Sequence, residues 1–483
     1  MVEIDYAKVG LKAGLEIHQQ LDTGKLFCRC PSFLRQDEPQ FIIKRRLHAV
    51  AGESGEVDVA AKHEAGQDRE FSYEGYRDSN CLIELDEEPP REIDSEALKI
   101  GLQIALLLNC EIYQTTQVMR KTVIDGSNTS GFQRTLLIAK NGYVETSFGK
   151  VRVDTIALEE DAARIVNKDE KKAVFRLDRL GIPLVEIVTA PDMNAPEQIK
   201  ETALKIGEIL RACKVKRGIG TIRQDVNINV KGHNRVEIKG FQEPRIMILT
   251  VDKEIERQLG EIKEGKTTGE VRKSLEDGGS EFLRPMPGSA RMYPETDLPL
   301  LKISRDKINE IKKSLPKMRT EIRDELKKKG LNDELIGLVL DGKLEKFEFL
   351  ISIAPREGPL VGKMVTLWQN ELASKYKKKS EEIESVLYED KLALILEGVA
   401  QGKIGVEDVR GIMQKLVEGV ELQTALKVEK IDNNAVEEEI MKIVKEKPGL
   451  RANAYMGLVM AKMKGKIDAK KAMEIIKRVA GKV

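Results

Sequence analysis

The apolar residues of this chain change their spacing near residue 300, and that change limits the folds open to it more than any single motif does. Upstream, runs such as GLEIHQQL (14–21) and TIRQDVNINV (221–230) alternate apolar with polar residues. Downstream, Leu and Ile recur every third or fourth position among Lys and Glu. Alternation buries one face of a strand, whereas the wider spacing buries one stripe of a helix. The expected fold class is therefore α+β: a mixed or antiparallel-sheet cradle domain over residues 1–300, an all-helical domain over 301–400 and a small helical tail domain over 401–483. YPETDLP (293–299) is the last proline-punctuated strand-and-turn stretch, and Ser304 to Lys329 is expected to run as one amphipathic helix with Ile308, Ile311 and Leu315 inward. The glycine-marked stretch EGVAQGKIG (397–405) sets the expected start of the tail domain. At 483 residues the chain is too long for one core, and 41% hydrophobic content supplies several.

Charge is dense but balanced, with 81 basic and 80 acidic side chains, so a nucleic-acid surface has to come from uneven distribution. The unevenness is at the end: Met441 to Val483 holds 12 Lys or Arg against 3 Asp or Glu. Five widely spread cysteines make no disulfide framework and fit a reducing cytoplasm. No apolar leader and no membrane-length apolar run is present, so a cytoplasmic protein is expected.

In GLEIHQQL, alternation places Glu16 and His18 on one face and Leu15 and Ile17 on the other. Such a pattern describes a sheet with one wet side. It also describes half of a divalent-metal site, because a carboxylate and an imidazole offer lone pairs into the same space. In GIPLVEIVTAPDM (181–193) Glu186 interrupts an apolar run, where an unpaired carboxylate is costly, so it should meet a cation: a structural ion pair or a metal. In IALEEDAARIV (156–166) Glu159, Glu160 and Asp161 are consecutive, either a solvated turn or part of a metal centre. The expected hairpin of TIRQDVNINV with RVEIKGF (235–241) lines Arg223, Asp225 and Asn227 on one strand face and Glu237 and Lys239 on the next. Carboxylates with Arg and Lys suit Mg²⁺ and phosphate, whereas no Walker-type or GxGxxG loop is present.

Taken together and in order, GLEIHQQLDTGKLFCRCP, MRKTVIDGSNTSGFQRT, IALEEDAARI, LDRLGIPLVEIVTAPDM, GIGTIRQDVNINV, RVEIKGFQE and FLRPMPGSARMYPETDLP resemble the B-type and E-type subunits of the tRNA-dependent amidotransferase family. IDGSNTSGFQRT and RMYPETDLP are more similar to the E type, the archaeal partner of an asparaginase-like D-type subunit. The resemblance implies an ATP- and Mg²⁺-dependent conversion of Glu-tRNA(Gln) to Gln-tRNA(Gln), with ammonia supplied by the D-type partner in a hetero-oligomer. A B-type enzyme and a non-catalytic tRNA-binding scaffold are the alternatives. Carried over by motif, the resemblance implies metal ligation by Glu16, His18, Glu159, Glu160, Glu186, Asp225 and Glu237. It implies catalytic roles for Glu16, His18, Glu186, Arg223 and Lys239, and ATP contacts from Arg120, Lys121, Arg179 and Arg291.

The chain departs from the family pattern twice. E-type subunits carry an aspartyl-tRNA-synthetase-like insertion between the RVEIKG and FLRPMPG motifs, where only residues 245–280 intervene here. Some B-type subunits hold zinc with paired cysteine motifs; Cys28 and Cys30 supply one half and no CxxC follows, so no structural zinc is expected. The basic segment KMKGKIDAKKAMEIIKR (462–478) is expected to touch tRNA phosphates, a shape-and-backbone readout that suits RNA.

Overall fold

The computed structural model describes residues 4–49, 51, 55–241, 244–286, 292–426, 433–462 and 469–480. The chain divides into two units, Met1–Arg319 and Thr320–Val483. The first is built on an 11-stranded sheet. Ten of its strands are, in chain order, β1 Lys12–Gln20, β2 Val118–Thr122, β3 Phe132–Thr146, β4 Gly149–Glu160, β5 Pro183–Thr189, β6 Ile222–Asn229, β7 Val236–Phe241, β8 Glu270–Ser274, β9 Ser280–Pro285 and β10 Met292–Pro294. Across the sheet they run β9–β8–β7–β6–β1–β5–β4–β3–β2–β10, and Glu111–Ile112 pairs off β3. Every neighbouring pair on this path is antiparallel except β7 and β8.

Three helices cover one face of that sheet: α1 Ser95–Leu107, α2 Pro196–Ala212 and α3 Pro244–Lys263. Asp94 caps α1 by accepting from the Ala97 N–H, and Pro196 opens α2, where its missing N–H costs nothing. α1 approaches the sheet closely at Gly101: a Cβ there would lie 3.0 Å from Ile138 Cδ1 and from Leu158 Cδ2. Beneath the helices, Ala13, Leu15 and Ile17 of β1, Val185 and Ile187 of β5 and Val226 and Ile228 of β6 join one core. The helices thus consume the apolar residues of the alternating strands, and the polar residues are left to the opposite face.

A smaller sheet, ordered 41–45, 70–75, 172–176 and 164–168, packs its own core around Phe71, Tyr73 and Phe175. The observed fold is α+β with helices throughout the second unit, as the change of spacing predicts.

The expected helix from Ser304 to Lys329 is instead two, Arg305–Lys313 and Arg319–Lys328. Pro316 lies between them and can neither donate a backbone hydrogen bond nor follow a helical turn. Ile303 and Ile311 belong to the sheet core, which is why the first unit runs to Arg319 and past residue 300. In the second unit, the stretch around Gly398–Gly405 is a turn inside one core, shared by Leu396, Ile404 and Val409. Ile404 packs closely on Gly398: a Cβ there would lie 2.4 Å from Ile404 Cδ1, so a larger residue would displace that side chain. A separate small core forms later, from Ile440, Ile443, Val444, Tyr455, Val459 and Ile476. Residues 463–468, part of the expected basic segment, lie outside the described residues. Among the described residues no helix is long and apolar enough to cross a membrane.

Candidate active site

β1 lies inside the sheet with β5 on one side and β6 on the other, so its polar residues face partners in both directions. His18 is directly opposite Glu186 on β5 and Arg223 on β6, and Glu16 is opposite Asp225. Cross-strand partners share a face, so register alone gathers residues separated by more than 160 positions in sequence.

His18 is the hub. Its Nε2 lies 3.2 Å from Glu186 Oε2, 3.6 Å from Glu16 Oε1 and 3.8 Å from Glu159 Oε2. Lys121 reaches in from β2, contacting Glu159 and lying 3.4 Å from Glu186 Oε2. Gln133 on β3 donates to Glu159 Oε2 at 3.1 Å. On the other flank, Lys239 of β7 donates to Asp225 Oδ2 at 2.7 Å and contacts Glu237. Two overlapping groups of donor atoms fall within 4.8 Å of one another: Glu16, His18 and Asp225, and His18, Glu159 and Glu186. Hard oxygens with one imidazole suit a divalent cation of the Mg²⁺ or Mn²⁺ type.

The electrostatics follow from crowding buried and half-buried carboxylates. Burial pushes the Glu16 carboxyl up to about 7, with the Glu186 charge adding to the rise and Lys239 and His18 opposing it. Burial and Glu186 likewise raise Glu159, against Lys121 and His18. Burial also pulls Glu186 upward, but Lys121 and His18 outweigh it and hold this carboxyl well below the usual range. Burial disfavours the His18 imidazolium, yet the bond to Glu186 and the charges of Glu186, Glu159 and Glu16 raise it. Burial and the neighbouring Glu186 charge thus raise two of these carboxyls, the condition under which a further cation is welcome.

Not every expected residue joins this group. Glu160 follows Glu159 on a strand, so alternation turns it away, and it meets Arg134 at 3.3 Å. Glu237 contacts Lys239 but lies outside both donor groups. Arg223 donates to Asp161 Oδ1 at 2.7 Å, and Asp161 also accepts from Gln20 at 2.6 Å. Of the cations expected to meet ATP, Lys121 is in the group. Arg120 makes a two-point contact with the fully buried Glu295, at 2.9 and 2.6 Å. Arg179 donates to the carbonyls of Ala162 and Ala163 at 2.8 and 3.0 Å. Both guanidiniums therefore have protein partners already. Arg291 lies outside the described residues.

Sequence reasoning passes over Gln133, Arg134 and Glu295. For Gln133 the available signal is alternation with Thr135 on β3; for Glu295 only tertiary structure reveals the pairing. A second omission lies apart from the hub. Cys28, Cys30, Cys81 and Glu84 bring donor atoms within 4.8 Å of one another, a set whose three thiols fit zinc. The expectation of no structural zinc rests on the missing CxxC; Cys81-x-x-Glu84 has the same spacing with a carboxylate in the last place. Here Lys25, fully buried, donates to Glu84 Oε1 at 2.6 Å.

Residues 11–309 match the family described as GatB/GatE catalytic domain. The chain belongs to this family. It is 35% identical to the E-type subunit of glutamyl-tRNA(Gln) amidotransferase from Methanocaldococcus jannaschii, with 99% of each chain covered. Proteins of the same name from Thermococcus gammatolerans and Pyrococcus furiosus are each 33% identical, covering 99% and 96% of this chain and 99% and 94% of their own. The first of these alignments spans 631 positions against a chain of 483 residues, so that GatB/GatE relative carries sequence with no counterpart here. The hub residues Glu16, His18, Glu159, Glu186 and Asp225 all fall inside the matched region.

Proposed function

We propose that this chain converts Glu-tRNA(Gln) to Gln-tRNA(Gln), using ATP and Mg²⁺ and ammonia delivered by a partner protein. The observation that carries the reading is the His18 hub, where carboxylates and lysines meet on one sheet face within a GatB/GatE match. The names of the similar proteins favour the E type over the B type.

The chemistry has two steps. A glutamyl side-chain oxygen bonds the γ-phosphorus of ATP as the bond to ADP breaks; ammonia then attacks the acyl carbon, phosphate leaves, and the nitrogen loses a proton. When bound, Mg²⁺ supplies charge neutralisation to the transferring phosphoryl group. The residues that would hold it are Glu16, His18, Asp225, Glu159 and Glu186, whose oxygen-rich donor set fits that ion. Lys121 contacts Glu159 and Glu186 and offsets part of their negative charge. Asp161 fixes the guanidinium of Arg223, whose strand position is opposite His18, and so holds a planar cation ready for an anionic substrate group.

No motif in the chain resembles an amidase or asparaginase nucleophile site, which supports an external ammonia source such as an asparaginase-like partner, and hence a hetero-oligomer. The positive excess after Met441 supports tRNA docking by the tail. The test is direct: purified protein with ATP, Mg²⁺, ammonium and Glu-tRNA(Gln), scored for Gln-tRNA(Gln). Product is expected with ammonium and not with free glutamine or asparagine. No product under any ammonium concentration would reject the reading.

A further inference from the structure

The two lysines at the hub are not equivalent. The Lys121 side chain is 14% exposed between Glu159 and Glu186, whereas Lys239 is 29% exposed against Asp225 and Glu237, themselves 8% and 10% exposed. The register of β6 against β7 shifts between Gln224 and Val226, an irregularity that re-aims side chains. As a result both Lys239 and Gly240 address Asp225: the ammonium reaches Oδ2, and the Gly240 N–H donates to Oδ1 at 3.2 Å. Gly240 holds φ at +93°, a conformation that a side chain would strain. The backbone therefore fixes the carboxylate, while the lysine, 29% exposed on a flexible four-carbon stem, is held by its ion pairs.

Asp225 is also a member of the donor group with Glu16 and His18. An ammonium 2.7 Å from its Oδ2 would repel a divalent ion drawn to the same carboxylate, so the two compete for it. Asp225 and Glu237 together outnumber the single ammonium, so a doubly charged ion neutralises them better than Lys239 does.

We propose that Lys239 is the resident cation of the β1–β6–β7 half of the site, and that divalent metal binds there by exchange, taking Asp225 and releasing the ammonium. This rests on the reading that the polar face binds divalent metal. It assigns Lys239 a positioning role: it keeps the carboxylates paired before metal arrives and sets how tightly metal is held.

Mn²⁺ binding to the full chain, followed by calorimetry and by electron paramagnetic resonance, tests this. Lys239→Met removes the competitor and should tighten Mn²⁺ binding about tenfold or more, the order expected for deleting a unit charge a few ångströms away. Lys239→Arg keeps a charge with its own strong hold on carboxylates, and should not tighten binding. In parallel, acetylation of Lys239 in the unaltered protein by an amine-reactive reagent, read by mass spectrometry, should speed up several-fold on saturation with Mn²⁺. This second arm needs no variant and so survives a failure of Lys239→Met to fold. Unchanged or weaker Mn²⁺ affinity in Lys239→Met, or acetylation that Mn²⁺ leaves alone or slows, overturns the exchange while metal binding by the face still stands. If the unaltered protein and both variants bind no Mn²⁺, the metal-binding reading fails, and the exchange with it.

Discussion

His18 Nε2 lies 3.2 Å from Glu186 Oε2, across two strands in direct register, and each group shifts the other's proton equilibrium in opposite senses. The imidazole is raised and the carboxyl lowered, the signature of an ion pair. In metal-free buffer the His18 ring should therefore stay protonated above its ordinary range. An NMR titration of the chain's 4 histidines reads this, and Glu186→Gln should move one of them, and no other, to lower pH.

Glu16 gives the metal-free protein a pH dependence of definite sign. Its folded carboxyl is raised from about 4.5 to about 7, so the neutral form is favoured by folding. The stability it contributes is complete below its unfolded value and is lost as pH rises through about 7. Glu159 is raised and acts in the same sense, whereas Glu186 is lowered and acts in the opposite sense, below about 4.5. Thermal unfolding in chelator should show Tm falling between pH about 4.5 and 7, with a shallower fall in Glu16→Gln. Saturating Mg²⁺ should restore Tm at the upper end.

Neighbouring residues on β1 should separate stability from chemistry. Ile17 is fully buried beneath the helices, and Ile17→Ala should cost about 2–5 kcal/mol in denaturant unfolding. Glu16→Gln, one residue away on the other face, should leave unfolding at neutral pH unimpaired and abolish turnover.

Removing residues 433–483 deletes a core of its own, built on Ile440, Tyr455 and Ile476. The expected outcome is weaker tRNA binding with a flatter salt dependence, because fewer phosphates are neutralised, and a near-normal rate at saturating Glu-tRNA. Filter binding across salt concentrations, together with saturation kinetics, measures both.

Alternation makes the face legible: Glu16 with His18, Asp225 with Glu237 and Lys239, and the lone Glu186 can all be placed from spacing. What spacing cannot supply is which strands become neighbours. Arg120 reads as a free cation until β10 brings Glu295 alongside, and the Cys81 and Glu84 partners of Cys28 lie some fifty residues downstream. Consecutive acids mislead for a local reason, since Glu159 and Glu160 on one strand must face opposite ways. The helical unit is legible in type but not in its breaks, because Pro316 and the Gly398 contact act through backbone geometry and packing.

The central claim is that the His18–Glu186 face carries phosphoryl transfer, and ADP formation dependent on Glu-tRNA(Gln) tests it most directly when measured at limiting Mg²⁺ in the unaltered protein and in Glu186→Gln. The account predicts robust Glu-tRNA-dependent ADP formation in the first, and in the second a loss of about a hundredfold or more with tRNA affinity nearly unchanged. Unaltered ADP formation in Glu186→Gln would contradict it.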